Sequence, residues 1–201
     1  MKNVNNVRQS PTDVMIDMEF LALDMRPVVL SIGAVAFHIS DTFEILKKRE
    51  TFYQELDMNS QPYRTIDAET WNWWQNQPDA TKKILNPKKL NPPLKLTLEK
   101  LKDWYKSLPI TPLRMWSHGA ACDLAILTQA YYEESIALPW HYRTIRDTRT
   151  LFDWYPRQTQ LSKILHHTKC GPLHHALYDA QRQALAVLKV WMYLHKEIHR
   201  P

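Results

Sequence analysis

Two apolar runs joined by a short polar link, residues 14–19 and 28–39, constrain this chain more than any other feature. The second run is β-branched and apolar, which reads as a strand. Gly33 within it marks either a bulge or a close approach by another backbone. The first run also reads as a strand, yet it holds two acids: in DVMIDMEFLA, Asp17 and Glu19 follow Val14, Met15 and Ile16. Strand side chains alternate faces, so both carboxylates point the same way, one pleat apart. Like charges so placed repel, and each is costly to bury unless a cation lies between them. A solvent-facing strand end and a metal site both produce such a triplet.

Length and composition narrow the class. The 201 residues are 44% hydrophobic with only 3 Gly, enough for one folded domain with a real core. We read residues 1–12 as a flexible polar lead-in and 13–201 as a single domain. No apolar run approaches the ~20 residues of a membrane span, and the N-terminus lacks the apolar core of a signal peptide. Cys122 and Cys170 share no C-x-x-C spacing, so neither a disulfide framework nor a structural zinc site is indicated, and a cytoplasmic setting fits. The net charge of +5 permits a polyanionic partner, and some of the 8 Trp could stack on unpaired bases.

Along the chain, 41–56 reads as a third strand after a turn at Ser40 and Asp41, giving an antiparallel meander. Asp67 caps a helix over IDAETWNWWQNQ. NPKKLNPPLK is a basic connector that either touches phosphates or keeps a loop soluble, and Thr97 caps the helix after it. LRMWSHG is a short strand, DLAILTQAYYEES a helix, and YRTIRDTRTLFDW a brief strand running into a helix capped by Asp147. The last helix, about 175–198, turns Leu177, Ala180, Ala184, Leu188 and Trp191 inward. Trp104, Trp154 and Trp191 read as core, as do Trp71 and Trp74 on one helical face. The order of elements is that of an α/β sheet with one antiparallel member.

Two further acids bear on the first pair. Asp123 opens a helix after a strand, where it could equally be a cap, and Asp179 lies in the first turns of the last helix. Together, Asp17-x-Glu19, Asp123, and His174 five residues before Asp179 resemble the DEDDh 3′→5′ exonucleases. The resemblance spans roughly residues 13–195 and extends to SIGAVAF, WNWWQNQ, IRDTRTLF and HHALYDAQRQALA, a pattern closest to the phage-type exonucleases and the RNase T-like exoribonucleases. It implies a ribonuclease-H-like mixed five-stranded sheet flanked by helices. It also implies hydrolysis of single-stranded DNA or RNA from the 3′ end to nucleoside 5′-monophosphates, with a homodimer among the assemblies open to the chain. A catalytically silent single-stranded nucleic-acid-binding module on the same fold is the rival reading.

Phosphodiester hydrolysis needs a hydroxide nucleophile, charge relief on the phosphoryl oxygens and help for the leaving oxygen. Two divalent cations, Mg²⁺ or Mn²⁺, can supply all three, and carboxylates are the hard ligands they prefer. The resemblance implies that Asp17 bridges both ions, that Glu19 and Asp179 complete the nucleophile-side ion, and that Asp123 holds the other directly or through water. It implies His174 as the general base. Met18, Phe20, Trp74 and His118 are the implied nucleic-acid contacts. The chain departs from the family's Asn-Gly-x-x-Phe-Asp motif, reading HGAACD, with His118 for Asn and Cys122 for Phe. Phe20 stands where Thr is frequent. A nucleophilic Cys122 is a further alternative, although nothing else in the sequence builds a thiol site.

Overall fold

The structure, a computed structural model, describes residues 9–86, 90–109, 113–168 and 170–198. Residues 1–8 of the expected lead-in and Lys88 and Lys89 of the basic connector lie outside these. Thr12, the last residue of that lead-in, already joins the sheet, its N–H donating to Phe37 O and its carbonyl accepting from Arg114 N.

The meander is present: β1 (Asp13–Phe20), β2 (Val29–Phe37) and β3 (Thr51–Glu55) pair antiparallel in sequence. β4 (Arg114–Ser117) joins β1 in parallel and β5 (Ile145–Asp147) joins β4 in parallel, giving the order β3-β2-β1-β4-β5. Among the described strands, β2 alone runs antiparallel to its neighbours. The helices are α1 (Phe43–Leu46), α2 (Ala68–Gln75), α3 (Asp79–Lys82), α4 (Leu94–Ser107), α5 (Asp123–Glu133), α6 (Thr148–Asp153), α7 (Gln158–His167) and α8 (Ala176–Ile198). Among the described residues, no helix is long and apolar enough to cross a membrane.

Alternation along β1 divides the core. Val14, Ile16 and Met18 pack with Leu98 and Leu101 of α4 and Leu124 and Leu127 of α5. Met15 faces the opposite layer, with Ala180, Ala184 and Val187 of α8. Asp17 and Glu19 share the parity of Met15, so they point toward the α8 side. The small residues of α8 let it lie close to the sheet, and Gly33 takes this furthest. A Cβ there would collide with the backbone of Ala176 and Leu177. Gly33 is thus the site of a close approach, not a bulge. Because Asp17 pairs with Gly33 across the sheet, this approach brings the start of α8 beside the first acid. The ladder register shifts between Glu19 and Phe20, an irregularity of the kind that re-aims side chains beside active sites.

Four expectations need correction. Leu177 and Trp191 of α8 are half-buried and lie outside the three apolar clusters. The stretch 41–56 is not one strand. Thr42 caps α1 by accepting from Ile45 N, and Arg49 forks onto Asp41 at 2.7 and 2.5 Å, both buried, closing an excursion that delays β3 until Thr51. Thr97 does not cap α4: the helix starts three residues earlier, after Pro93, and the Thr97 hydroxyl donates back to Pro93 O at 3.2 Å. Trp154 is no core residue. It ends α6 with 70% of its surface exposed.

Candidate active site

Three carboxylates converge at the β1–α8 contact. Asp17, Glu19 and Asp179 each offer an oxygen, and these oxygens all lie within 4.8 Å of one another. The strand pleat supplies the first two, and the opening turn of α8 supplies the third. Asp179 closes that turn by accepting from His175 N at 3.0 Å through Oδ2. Its Oδ1 accepts from Arg182 Nη2 at 2.5 Å and Nε at 3.1 Å. One residue further along α8, Gln183 donates from Nε2 to Asp17 Oδ1 at 2.7 Å. Positions 179, 182 and 183 are helical neighbours, so one face of α8 both adds an acid and braces its partners.

This arrangement is electrostatically incomplete without a cation. Burial, then the charges of Asp123, Glu19 and Asp179, push Asp17 well above the usual carboxylate range, against a lowering pull from Gln183. Glu19 is raised likewise by burial and by Asp179 and Asp123, with Arg182 opposing. A hard divalent ion would relieve both the burial cost and the repulsion, and the donors are all oxygens. The residues therefore fit such an ion.

Asp123 stands outside the group of converging oxygens but close enough to act on it. It is the first residue of α5, buried, and its pKa is pushed up to about 7 by burial, against the backbone N–H groups of Asp123 itself and Met18 and the charge of Arg149. Its neighbours form one wall of the site. His118 pairs through Nδ1 with Thr148 Oγ1 at 2.8 Å, and its ring leans on Phe152. At the end of the adjacent strand, Asp147 accepts from Ala120 N at 2.6 Å, which ties the β4 and β5 exits together. Cys122 is unsuited to nucleophilic attack, because burial and the Asp123 charge raise its pKa and keep the thiol protonated.

The two adjacent histidines are set apart. His175 is stacked between Tyr53, at 4.2 Å between ring centroids, and Tyr178, at 4.3 Å. His174 instead borders the acid-lined cavity of about 360 Å³, together with Asp17, Glu19 and Asp179. It adopts φ 57°, a left-handed conformation that costs a non-glycine residue about 1–3 kcal/mol and marks a position held by its surroundings. Burial lowers its pKa, with Asp179 opposing, which favours the neutral ring.

A second hollow, of about 400 Å³, opens beside the acids between Met18, Glu19, Phe20, Leu23, Trp73 and Trp74. Of its two indoles, Trp74, the implied nucleic-acid contact, is the less accessible. Trp74 is 1% exposed, donates to Phe20 O at 3.1 Å and packs with Leu21 and Leu30, so its ring is a fixed wall. Trp73 is 43% exposed and meets the His174 ring edge-on at 4.7 Å. Met18 is buried as well, contributing to both hollows from the core, and Phe20 is half-buried. Arg182, Gln183 and Trp73 escaped the sequence reading. The first two carried a usable signal in their helical spacing from Asp179.

Comparison with known proteins agrees with this geometry. The Rv2179c-like 3'-5' exoribonuclease domain matches residues 12–191. No curated protein matches the chain by sequence. Among solved structures, S. pombe Pop2p in its Mg²⁺- and Mn²⁺-bound form superposes with TM-score 0.60 at 15% identity, covering 90% of this chain and 82% of that one. The nuclease domain of 3'hExo, a DEDDh family member bound to rAMP, gives 0.60 at 14% identity, covering 93% and 95%. The RNase domain of yeast Pop2 gives 0.58 at 10%, covering 92% and 78%. At these identities the likeness shows the fold, which is ribonuclease-H-like. The family match over residues 12–191 carries the rest: the chain belongs to the Rv2179c-like 3'-5' exoribonuclease domain family and is a 3'-5' exonuclease.

Proposed function

We propose that this enzyme removes nucleoside 5′-monophosphates from the 3′ end of single-stranded RNA, using two divalent cations, Mg²⁺ or Mn²⁺. The convergence of Asp17, Glu19 and Asp179 oxygens within 4.8 Å is the observation that carries this reading. The family's exoribonuclease description favours RNA over DNA. Such cations, when bound, supply charge relief at the phosphoryl oxygens and acidify the attacking water. Asp17, Glu19 and Asp179 would hold one, and Asp17 with Asp123 the other.

The protein's own groups account for the remaining work. His174 borders the acid cavity as a neutral imidazole and accepts the proton of the attacking water. The hollow between Met18, Phe20, Trp73 and Trp74 takes the terminal base, since its walls are apolar and Glu19 lies at its edge. Placing a terminal phosphodiester over the acids requires a free, unpaired 3′ end.

Matched RNA and DNA oligonucleotides, labelled in parallel at the 5′ end and at the 3′-terminal nucleotide and incubated with Mg²⁺, Mn²⁺ or EDTA, test this. We expect a ladder shortening from the 3′ end, mononucleotide 5′-phosphates as product, faster loss of RNA, and no reaction in EDTA. Preference for DNA would overturn the substrate; internal cleavage products would overturn the mode of attack.

A further inference from the structure

We propose that Arg182 is a positioning residue that ties the loop carrying His174 to the last acid of the site, and so places the base. This rests on the reading of His174 as general base. Arg182 is 1% exposed, and its guanidinium donates to the loop and to the acid at once. Nη1 donates to Gly171 O at 3.0 Å and Nη2 to Pro172 O at 2.8 Å. Nη2 and Nε also reach Asp179 Oδ1. One planar fork therefore holds two consecutive loop carbonyls and a carboxylate of the site at once, which an ammonium on a flexible stem does not reproduce. The other oxygen of Asp179 accepts from His175 N, so the loop is fastened on both sides of His174.

His174 depends on that fastening. Among the described residues no hydrogen bond orients its ring, and its ring contacts are the edge-on indoles of Trp73 and Trp74. Its left-handed backbone has no glycine to ease it. The ring is therefore aimed by the backbone on which it stands, and Arg182 grips that backbone two and three residues earlier. Loss of the grip misplaces the base without removing it. A misplacement of about 1 Å can lower a rate about 10²-fold.

The test is a double-mutant cycle. Arg182→Lys keeps a positive charge beside Asp179 but cannot reach all three acceptors. We expect kcat to fall about 10²-fold, with the KM for the oligonucleotide and the metal concentration at half-maximal rate unchanged. In a His174→Ala background, assayed under single turnover, the same substitution should cost nothing further, because both changes act through one group. Gly171→Ala is the second arm. Gly171 has φ 147°, and a Cβ there would run into the Tyr178 ring, so the loop or that ring must shift while Arg182 and the four acids are unchanged in sequence. It should lower kcat in the parent and not in the His174→Ala background, and it carries the test if Arg182→Lys does not fold. Losses that multiply with His174→Ala, an unchanged kcat, or recovery by excess metal would each overturn the tether. Full activity in His174→Ala would instead overturn the base assignment, and the tether with it.

Discussion

The acids reach the site by two different routes. On the β1–α8 side, Asp17, Glu19 and Asp179 come from regular positions in a strand and a helix that a glycine allows to touch, and Gln183 and Arg182 brace them. On the β4–α5 side, Asp123 comes alone from the first residue of a helix, beside His118 and Cys122. The first side is a cluster assembled by packing in which the charges oppose one another. The second is a single buried carboxylate held by backbone N–H groups. The repulsion within the site is therefore concentrated on the first side.

The largest effect should come from the first side. Asp17→Asn removes the carboxylate common to both proposed ion positions, and turnover should fall to background in the 5′-label assay. The same variant should be more stable than the parent in EDTA at neutral pH. The sign follows from the raised pKa values. Asp17, Glu19 and Asp123 hold protons more tightly folded than unfolded, so these three groups cost the metal-free parent stability as pH rises from about 4 toward the Asp123 value of about 7, while His118, His174 and His175, lowered by burial, add stability toward neutrality. Removing one of the repelling charges lessens that loss. Each kcal/mol is worth about 2–4 °C in Tm for a chain of this size, so thermal melts at pH 5 and 8 with EDTA resolve it. The acid contribution is read as the difference between variant and parent, and a difference that does not grow from pH 5 to pH 8 would break the contrast between the two sides.

Next in size is the histidine pair. His174→Ala should lower kcat about 10²–10⁴-fold with little change in KM, because proton transfer belongs to the transition state. His175→Ala leaves the site intact and removes a ring stacked between Tyr53 and Tyr178, so its cost should appear in Tm with turnover within about tenfold of the parent. A dead His175 variant beside an active His174 variant would shift the base by one residue.

A smaller effect is expected from Asp123→Asn. If Asp123 acts through water, the metal concentration at half-maximal rate should rise about 10–100-fold, with excess Mn²⁺ restoring turnover. A metal titration of the parent and the variant measures this. No recovery at any concentration would make Asp123 a direct ligand and bring the two sides closer in kind.

Much of this was legible because the determinants are local. Alternation along 14–19 put two carboxylates on one face, and helical starts placed Asp123 and Asp179. Gly33 offered two readings, and only the packing of α8 chose between them. The misses have equally specific causes. α1 is four residues long and owes its place to the Asp41–Arg49 pair, which no periodicity reports. α7 begins at Gln158, after an Arg157 that gives no side-chain cap, and has no acid in its first turn, so its start carries no signal. Trp154 keeps a plausible helical spacing, but it stands at the end of a six-residue helix, beyond the reach of the core.

The indoles of α2 give the finest test, because they too contrast a braced group with a free one. Trp71 and Trp74 share the inward face, as their spacing requires, and Trp73 is turned outward toward His174. Trp74→Ala should cost about 3–5 kcal/mol of folding free energy, the usual loss for a large core aromatic. Trp73→Ala should leave Tm nearly unchanged and weaken binding of a single-stranded 3′ end. Stacking on an aromatic ring contributes about 1–3 kcal/mol per base, and an indole already engaged edge-on with His174 should lie at the low end. A loss of about 1 kcal/mol is roughly fivefold in Kd. Fluorescence titration of an RNA oligonucleotide in Ca²⁺, to hold back turnover, compared with unfolding midpoints, separates the two. Weakened binding in Trp74→Ala at an unchanged midpoint would reverse the assignment and make the buried indole the one that meets the base.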